Sequence, residues 1–468
     1  MSDTVTKALA HLDASWDLYI QQLMELSRIP SVSAEPRPSA ALAASAKKTQ
    51  AFFEAAGLEG CRTIEYPGGH PYVYGEWLHA PGAPTVLLYG HHDVQPPGRP
   101  EKWKTPAFEP TLRADGRLYG RGVVDDKAGV MMHVAACAAY LKSAGKLPVN
   151  VKFIVEGEEE VGSESLEAFL REYQTQLAAD VIVLTDTSNY DTGIPSITYA
   201  LRGIVGIAVE VQGLDHPVHS GMWGGPVPDP VIALCKAIGE LMTDEGTLAL
   251  PVWGDVRPLE KKAYDSLAAL PFSEKQFREQ VGLVEGATLI GDQRMPVWGR
   301  VWRQPAVTVL ALEARPFEGS TNQIIESARA RVSVRIVPDQ DPIKVQDAMV
   351  RHFETRVPWG LKVTVEREAA AGWWMTDPKG PAFDAASRAM TKAFGRECVF
   401  IGCGGSIPFV DPFAKVLGGV PALLMGVEDP TCNAHGENES LHVGDWKNGT
   451  RAAVYLYEEL SRLERKSA

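Results

Sequence analysis

The sequence is poor in cysteine and contains no long apolar run. Its 468 residues include six cysteines, and no two of them form a Cys-x-x-Cys pair, which argues against a disulfide framework and a thiolate zinc site. No apolar run approaches the roughly 20 residues of a membrane-spanning helix. The first 17 residues contain no continuous signal-peptide core. We therefore expect a cytoplasmic protein without a membrane partner.

Positive charge is also scarce. The 59 acidic residues outnumber the 46 basic ones, which gives a net charge of −13, and no stripe of Lys and Arg is present. A nucleic-acid partner is therefore not expected. The apolar fraction of 45% and the aromatic fraction of 8% are ordinary for a globular protein. Because one core rarely serves more than about 250 to 300 residues, the length predicts two domains.

Short apolar runs alternate with helical patterns in the first 200 residues. The runs at 85–89, 151–155 and 181–184 are typical of strands buried on both faces, and helical spacing occupies 128–143 and 163–176 between them. Further elements of the same type are predicted near both ends of the chain, at 15–29, 40–57, 381–395, 422–425 and 446–464. This order predicts an α/β fold with a mixed, largely parallel sheet flanked by helices.

The middle of the chain has a different pattern of apolar and polar residues. From about residue 203, alternating apolar and polar residues predict strands at 204–211, 306–314 and 329–337, and helical spacing predicts helices at 229–243 and 341–355. We therefore expect a separate α+β domain that is inserted into the first one.

Histidines and carboxylates gather near the ends of the predicted strands, where the functional groups of open α/β sheets collect. In chain order they are His91-His92-Asp93, Asp125-Asp126, Glu158-Glu159-Glu160, Asp186 and the loop Asn433 to Asn438 with His435. Imidazole nitrogen and carboxylate oxygen form a ligand set suited to Zn²⁺, Mn²⁺ or Co²⁺. Two divalent ions would neutralise several converging carboxylates, whereas one would leave a buried negative charge. The sequence therefore predicts a centre of two metal ions.

His91 and Asp93 form a pair within this pattern. If the segment is extended, positions 91 and 93 face the same way, so the Asp93 carboxylate can accept the free ring N–H of His91 and orient the imidazole. Taken singly, an acidic run has an ordinary explanation as a helix start, and a lone histidine has one as a surface residue. Only their joint position at the strand ends indicates a site.

Other enzyme signatures are absent from the sequence. It contains neither HExxH nor G-x-S-x-G, so the zincin and serine-hydrolase interpretations lose their main support. Gly120-Arg121-Gly122 lacks the third glycine of a dinucleotide loop and is followed by acids, which argues against nucleotide binding.

Six motifs follow one another along nearly the whole chain. They are Tyr89-Gly90-His91-His92-Asp93-Val94-Gln95-Pro96, Leu118 to Lys127, Glu159-Glu160-Val161-Gly162-Ser163, His219-Ser220-Gly221, Gly404-Gly405-Ser406-Ile407-Pro408 and Ala434-His435. In content and order they resemble the carnosinase and cytosolic non-specific dipeptidase family of di-metal exopeptidases. The wider superfamily includes aminoacylase, acetylornithine deacetylase and glutamate carboxypeptidases.

The resemblance implies two ligand sets that share one bridging carboxylate, namely His91, Asp125 and Asp186 for one ion and Asp125, Glu160 and His435 for the other. It also implies Glu159 as the general base and Asp93 as the partner of His91. We expect two divalent ions per chain, with zinc as the first choice and manganese or cobalt as alternatives.

The resemblance further implies a homodimer. Residues 1–202 and 369–468 would form the catalytic domain, and 203–368 would form the inserted lid and dimerisation domain. The partner subunit's His219 would reach the active site as a ligand of the transition state. Arg335 would bind the substrate carboxylate, and the other substrate-binding residues would be Asn322, Gly405 and Ser406.

Two departures from the family pattern concern the substrate. Relatives commonly have Asn/Thr-Val-Ile-Pro where this chain has Asn322 to Glu326, so the proline that shapes that loop is missing. Cys403 precedes the Gly-Gly-Ser-Ile-Pro motif, where dipeptidase relatives often carry glutamate. These departures bear on recognition of the substrate, whereas the catalytic group is intact.

The expected function is metal-dependent hydrolysis of dipeptides or short peptides that have a free C-terminal carboxylate. Glu159 would take a proton from a metal-bridging water, which would then attack the peptide carbonyl. An N-acyl amino acid hydrolase with the same machinery is an alternative, because its substrates also offer an amide and a carboxylate. A catalytically idle metal-binding protein on the same fold is a remoter alternative, and the intact Glu159 argues against it.

Overall fold

The structure is a computed structural model that describes residues 2–37, 39–405 and 410–463. The described chain divides into two compact units. The first contains residues 2–199, Asp377–Ile401 and 410–463, and the second contains Ala200–Thr376 and the short segment that begins at Gly402. The catalytic and inserted domains, with the boundaries given above, stay a prediction.

Helices and strands alternate along both units. The helices of the described residues are α1 Asp3–Ala14, α2 Trp16–Ser27, α3 Ala40–Ala56, α4 Lys127–Ala144, α5 Leu166–Glu172, α6 Gln174–Leu177, α7 Ser220–Trp223, α8 Pro230–Gly239, α9 Lys261–Ala268, α10 Glu274–Gln280, α11 Val297–Arg303, α12 Pro342–Arg356, α13 Pro381–Phe394, α14 Val410–Val416 and α15 Val443–Leu460. The strands are β1 Glu59–Ile64, β2 Tyr72–Trp77, β3 Thr85–His91, β4 Thr111–Leu112, β5 Arg117–Tyr119, β6 Asn150–Glu156, β7 Val181–Leu184, β8 Ser196–Leu201, β9 Gly203–Gln212, β10 Val218–His219, β11 Ala306–Glu313, β12 Gln323–Ile324, β13 Ser327–Ile336, β14 Lys362–Ala371, β15 Trp374–Met375, β16 Val399–Cys403, β17 Ala422–Leu424 and β18 Ser440–His442.

The first unit is built on a sheet with the strand order β1-β2-β6-β3-β7-β17-β8. The four central strands β6, β3, β7 and β17 pair in parallel, whereas β1, β2 and β8 run antiparallel to their neighbours. Every residue of β3 and of β7 is buried, as expected for parallel strands that are covered on both faces. The four parallel strands end at the same edge of the sheet, so the residues that follow them meet there.

Helix α4 fixes the segment that enters the site. Its first fourteen residues, 127–140, are all buried, and the helix packs against α1, α3, α15 and β3. Trp446 on α15 donates its indole N–H to the carbonyl oxygen of Ala128 at 3.0 Å, and its ring lies 4.7 Å from that of Trp16. Because α4 is enclosed in this core, the residues immediately before it have a fixed position.

The second unit contains an antiparallel sheet with the order β11-β13-β9-β14. Helices α8 and α12 pack on this sheet. Each begins with the same N-terminal signal, an aspartate cap followed by proline: Asp229 accepts backbone N–H bonds from Val231 and Ile232, and Asp341 accepts them from Ile343 and Lys344. The edge strand β11 exposes Leu310 and Leu312, each by more than half.

The predicted fold class is confirmed, although individual elements differ. The segment 163–176 forms two helices, α5 and α6, and helical structure starts only at Leu166. Gly162 and Ser163 adopt φ angles of 99° and 52°, which a right-handed helix does not tolerate. Helix α1 was not predicted, because the charged residues of this segment were used only as evidence against a signal peptide.

Within the described ranges, no helix combines the length and the apolar character needed to cross a membrane. All six cysteines lie in the described residues, and none of them is in a disulfide. The cytoplasmic location stays a prediction.

Candidate functional site

Most of the polar groups predicted at the strand ends meet at one edge of the sheet in the first unit. His91 is the last residue of β3, Asp186 follows β7 by two residues, and Glu159 and Glu160 start a short 3-10 turn after β6. Two groups of metal-ligating side chains result, each with its ligand atoms within 4.8 Å of one another: His91, Asp125 and Asp186, and Asp125, Glu160 and His435. These are the two ligand sets that the resemblance to the family implied.

Asp125 belongs to both groups, and its two oxygens face different histidines. Oδ1 lies 3.1 Å from Nε2 of His91, and Oδ2 lies 3.0 Å from Nε2 of His435. Asp186 Oδ1 lies 3.8 Å from the His91 nitrogen, and Glu160 Oε2 lies 3.2 Å from the His435 nitrogen. The carboxylate of Asp125 is therefore oriented as a bridge between the two groups.

The spacing and the chemistry of the donors fit divalent metal ions. Two ligands of one tetrahedral zinc ion, each about 2.0 to 2.2 Å from the metal, lie roughly 3.3 Å apart, and the nitrogen–oxygen distances above bracket this value. His91 and Asp125 are buried, whereas the His435 side chain is 59% exposed. The site is therefore open to a small ligand on the His435 side.

The carboxylates of the two ligand groups strongly favour a positive charge on the histidines beside them. Burial alone would lower the pKa of His91, but hydrogen bonds with Asp125, Asp186 and Asp93 raise it well above its ordinary value. Hydrogen bonds with Asp125 and Glu160 raise the pKa of His435 to about 11. An excess of negative charge that protonates both histidines would also attract divalent cations.

Asp93 organises two parts of the site. His91 Nδ1 lies 3.1 Å from the carbonyl oxygen of Asp93 and 3.3 Å from its Oδ1. The same carboxylate accepts the backbone N–H of Glu159 at 3.2 Å and that of Glu160 at 3.1 Å. One buried side chain thus orients the imidazole of His91 and also holds the turn that carries Glu159, the proposed base. The sequence predicted only the pairing with His91.

The sequence interpretation missed a buried ion pair beneath the site. Arg121 donates to Glu439 Oε2 at 2.6 Å, and its Nη2 donates to the carbonyl oxygen of His435 at 3.0 Å. Glu439 also accepts the backbone N–H groups of Gly122, at 3.0 Å, and Val124, at 3.1 Å. This pair therefore ties the segment before Asp125 to the loop that carries His435. An arginine and a glutamate 318 positions apart give no local signal in a single sequence.

Gln95 is a further residue that was missed as a functional group. Its side-chain amide donates to Glu160 Oε2 at 2.7 Å, and its backbone N–H donates to Oε1 at 3.1 Å. Both oxygens of Glu160 are therefore oriented by one residue. Gln95 lies in the first family motif, and that position was the one available signal.

The remaining predicted residues lie in the second unit. His219 is exposed, and its Nδ1 accepts the backbone N–H of Gly221 at 3.1 Å. Asn322 lies beside it, since the backbone N–H of Ser220 donates to the Asn322 carbonyl oxygen at 2.9 Å and His219 pairs with Gln323. His219 therefore ends one strand of a short two-stranded sheet, and Asn322 directly precedes the other strand.

Arg335 and Gly405 belong to another part of the second unit. Arg335 is half-buried on β13, and its charge acts on the guanidinium of Arg202, whose pKa is lowered to about 10, first by burial and then by Arg335. The backbone N–H of Arg202 donates to the Gly405 carbonyl oxygen at 3.2 Å. Arg202 was not predicted as a site residue, and Ser406 lies outside the described residues.

Comparison with known proteins agrees with this geometry. The chain matches the model of peptidase family M20/M25/M40 over residues 87–459. It is 34% identical to the cysteinylglycine-S-conjugate dipeptidase of Corynebacterium striatum over 77% of both chains.

Solved structures agree as well. The structure of a di-peptidase from Saccharomyces cerevisiae superposes with a TM-score of 0.87 at 25% identity, covering 99% of this chain and 100% of that one. Human carnosine dipeptidase 1 gives the same TM-score and coverage at 26% identity. The predicted family is confirmed, and this chain belongs to peptidase family M20/M25/M40 and is a metallopeptidase.

Proposed function

We propose that this chain hydrolyses the peptide bond of dipeptides or short peptides that end in a free carboxylate, with two divalent metal ions as cofactors. One observation carries the proposal: the two oxygens of Asp125 face His91 and His435, so that a single carboxylate is common to both groups of ligands. The ligand sets would be His91, Asp125 and Asp186 for one ion and Asp125, Glu160 and His435 for the other.

Zinc is the ion that we propose, with manganese or cobalt as alternatives, because the donors are imidazole and carboxylate groups without sulfur. When bound, such ions lower the pKa of water and polarise a carbonyl group. The side chains around the ions would transfer the proton and bind the substrate.

Glu159 is the proposed general base. Burial, followed by the charge of Asp186, raises the pKa of the Glu159 carboxyl well above its ordinary value, which suits a group that must accept a proton from water near neutral pH. Asp93 holds the Glu159 backbone through the hydrogen bond at 3.2 Å. Glu159 takes the proton from the attacking water and then delivers it to the leaving nitrogen.

Arg335 is the proposed anchor of the substrate carboxylate. A guanidinium group can hold a carboxylate through two parallel N–H bonds. The neighbouring charge of Arg202 supports this role, because two cations of the same unit attract an anion more strongly than one. Gly405, Ser406 and Asn322 are proposed to complete the binding of the substrate.

A homodimer is also proposed, in which the partner subunit's His219 stabilises the charge that develops on the carbonyl oxygen. Two observations support it. The His219 side chain is exposed and thus able to contact another molecule, and the edge strand β11 exposes Leu310 and Leu312, which is typical of an edge that pairs with a second chain.

The first test is the substitution Glu159→Gln. The amide keeps the shape of the side chain but lacks the basic oxygen, so we expect hydrolysis of a dipeptide such as alanyl-alanine by the zinc-loaded protein to fall roughly 10²- to 10⁴-fold. Metal content, measured by mass spectrometry, should be unchanged. Glu167→Gln, an equal change on an exposed face, is the control. Near wild-type turnover in metal-loaded Glu159→Gln would contradict the proposed role.

A second test concerns the carboxylate anchor. Arg335→Ala should reduce kcat/KM for alanyl-alanine by roughly tenfold to a hundredfold, because a charge-assisted pair is lost, and should change kcat/KM for alanyl-alanine amide much less. Arg329→Ala is the matched control, since Arg329 is exposed on the same strand and pairs with Glu313 at 2.7 Å. Equal losses on both substrates would show that Arg335 has a structural role instead.

The dimer is tested by mixing two inactive variants, His219→Ala and Glu159→Gln, under conditions in which subunits exchange. Each hybrid dimer should contain one site with an intact Glu159 and an intact His219 from the other subunit. Random exchange makes about half of the dimers hybrid, so about a quarter of the wild-type activity should return. If native mass spectrometry confirms exchange and no activity appears, His219 does not act across a dimer.

A further inference from the structure

A carboxylate that belongs to neither ligand group, that of Glu428, lies beside the site. It follows β17, which pairs in parallel with β7. This pairing continues beyond both strands, because the backbone N–H of Met425 donates to the Leu184 carbonyl oxygen at 2.8 Å and Ser188 forms a bridge with Glu428. Asp186 lies between Leu184 and Ser188 on the neighbouring segment. Glu428 is therefore placed at the strand end that carries a predicted metal ligand.

The backbone fixes this position. The N–H of Asn189 donates to the Glu428 carbonyl oxygen at 2.9 Å. The two segments also touch at Gly426, where an added Cβ would lie only 1.5 Å from the carbonyl oxygen of Thr187. Glycine is thus required at position 426 for the close approach. The segment that carries Glu428 cannot move away from the one that carries Asp186 without breaking these contacts.

The side chain of Glu428 is held at one oxygen. Ser188 Oγ donates to Oε2 at 2.9 Å, and the structure gives Oε1 no hydrogen-bond partner among the described residues. Burial raises the pKa of the Glu428 carboxyl well above its ordinary value, the charges of Asp125 and Asp186 act in the same direction, and His435 opposes them. The charges that act on Glu428 are therefore those of both ligand groups.

The partners of the other carboxylates indicate what Glu428 can bind. Asp125, Asp186 and Glu160 are the proposed metal ligands, and Asp93 pairs with His91 and with two backbone N–H groups. Glu428 belongs to neither arrangement. A half-buried carboxylate with one free oxygen is costly unless a cation pairs with it. Whatever its side chains, a dipeptide carries a cationic α-ammonium group. This group is bonded to the carbon atom next to the scissile carbonyl.

We propose that Glu428 binds the α-ammonium group of the substrate through Oε1 and so makes this chain select dipeptides over N-acyl amino acids. This inference rests on the proposed function and extends it to a specificity-determining residue. Ser188 acts as a positioning residue, because its hydroxyl holds Oε2 and leaves Oε1 without a hydrogen bond among the described residues.

The test compares alanyl-alanine with N-propionyl-alanine, which differs from it only by the missing α-amino group. Wild-type protein should prefer alanyl-alanine. Glu428→Gln should lose roughly tenfold to a hundredfold in kcat/KM on alanyl-alanine, mainly through KM, and should keep its value on N-propionyl-alanine. If N-propionyl-alanine is not cleaved, its inhibition constant against alanyl-alanine serves instead and should not change.

The pH dependence gives a second readout. An α-ammonium group loses its proton near pH 8, so the wild-type KM for alanyl-alanine should rise above that pH relative to the value for N-propionyl-alanine. This relative rise should be absent in Glu428→Gln. Glu397→Gln, the same change at an exposed position of the same unit, should behave like the wild type. Glu428→Asp, which keeps the charge, should recover part of the preference and covers the case in which Glu428→Gln does not fold.

The outcomes separate this inference from the proposed function. Equal losses on both compounds, or a wild-type protein that does not distinguish them, would overturn the role of Glu428 and leave metal-dependent hydrolysis intact. A wild-type protein that cleaves neither compound after metal is restored would contradict the proposed function itself.

Discussion

The shared carboxylate of Asp125 is the constraint on which the rest of the site depends. One oxygen lies 3.1 Å from His91 and the other lies 3.0 Å from His435, so a displacement of this carboxylate would disturb both ligand groups together. The surrounding structure holds it in place. Helix α4 is enclosed by the core directly after this segment, and the buried pair of Arg121 and Glu439 holds the segment directly before it.

The same arrangement explains how so many acids remain close together. Unpaired carboxylates in a buried site repel one another and lose their hydration. Here three of them receive specific donors: Asp93 accepts two backbone N–H groups, Glu160 accepts the backbone N–H and the side-chain amide of Gln95, and Glu439 accepts the backbone N–H groups of Gly122 and Val124. The negative charge that these donors do not offset is available to bind cations. Glu428 receives one donor, at Oε2, and we propose that its other oxygen serves to select the substrate.

The sequence predicted those site residues that lie at the end of a predicted strand or shortly after it. His91 ends one buried strand and Asp186 follows another by two residues. Because parallel strands bring such residues to one edge of the sheet, their convergence was predictable without coordinates. The supporting groups were not predictable in this way. Arg121 and Glu439 are 318 positions apart, and Ser188 and Glu428 are 240 positions apart; each looks like an ordinary polar residue until the fold brings it to its partner. The late start of the helix predicted at 163–176 was hidden for a local reason, since the left-handed φ of Ser163 is rare for a residue other than glycine.

The most direct test of the account is the number of divalent ions that each chain binds when metal-free protein is dialysed against zinc, measured for the wild type and for Asp125→Ala. Asp115→Ala, an exposed change outside the site, is the control. If one carboxylate serves both ions, the wild type and the control should hold two zinc ions per chain, and Asp125→Ala should hold neither tightly. Two tightly bound ions in Asp125→Ala, or a single ion in the wild type, would contradict the shared carboxylate.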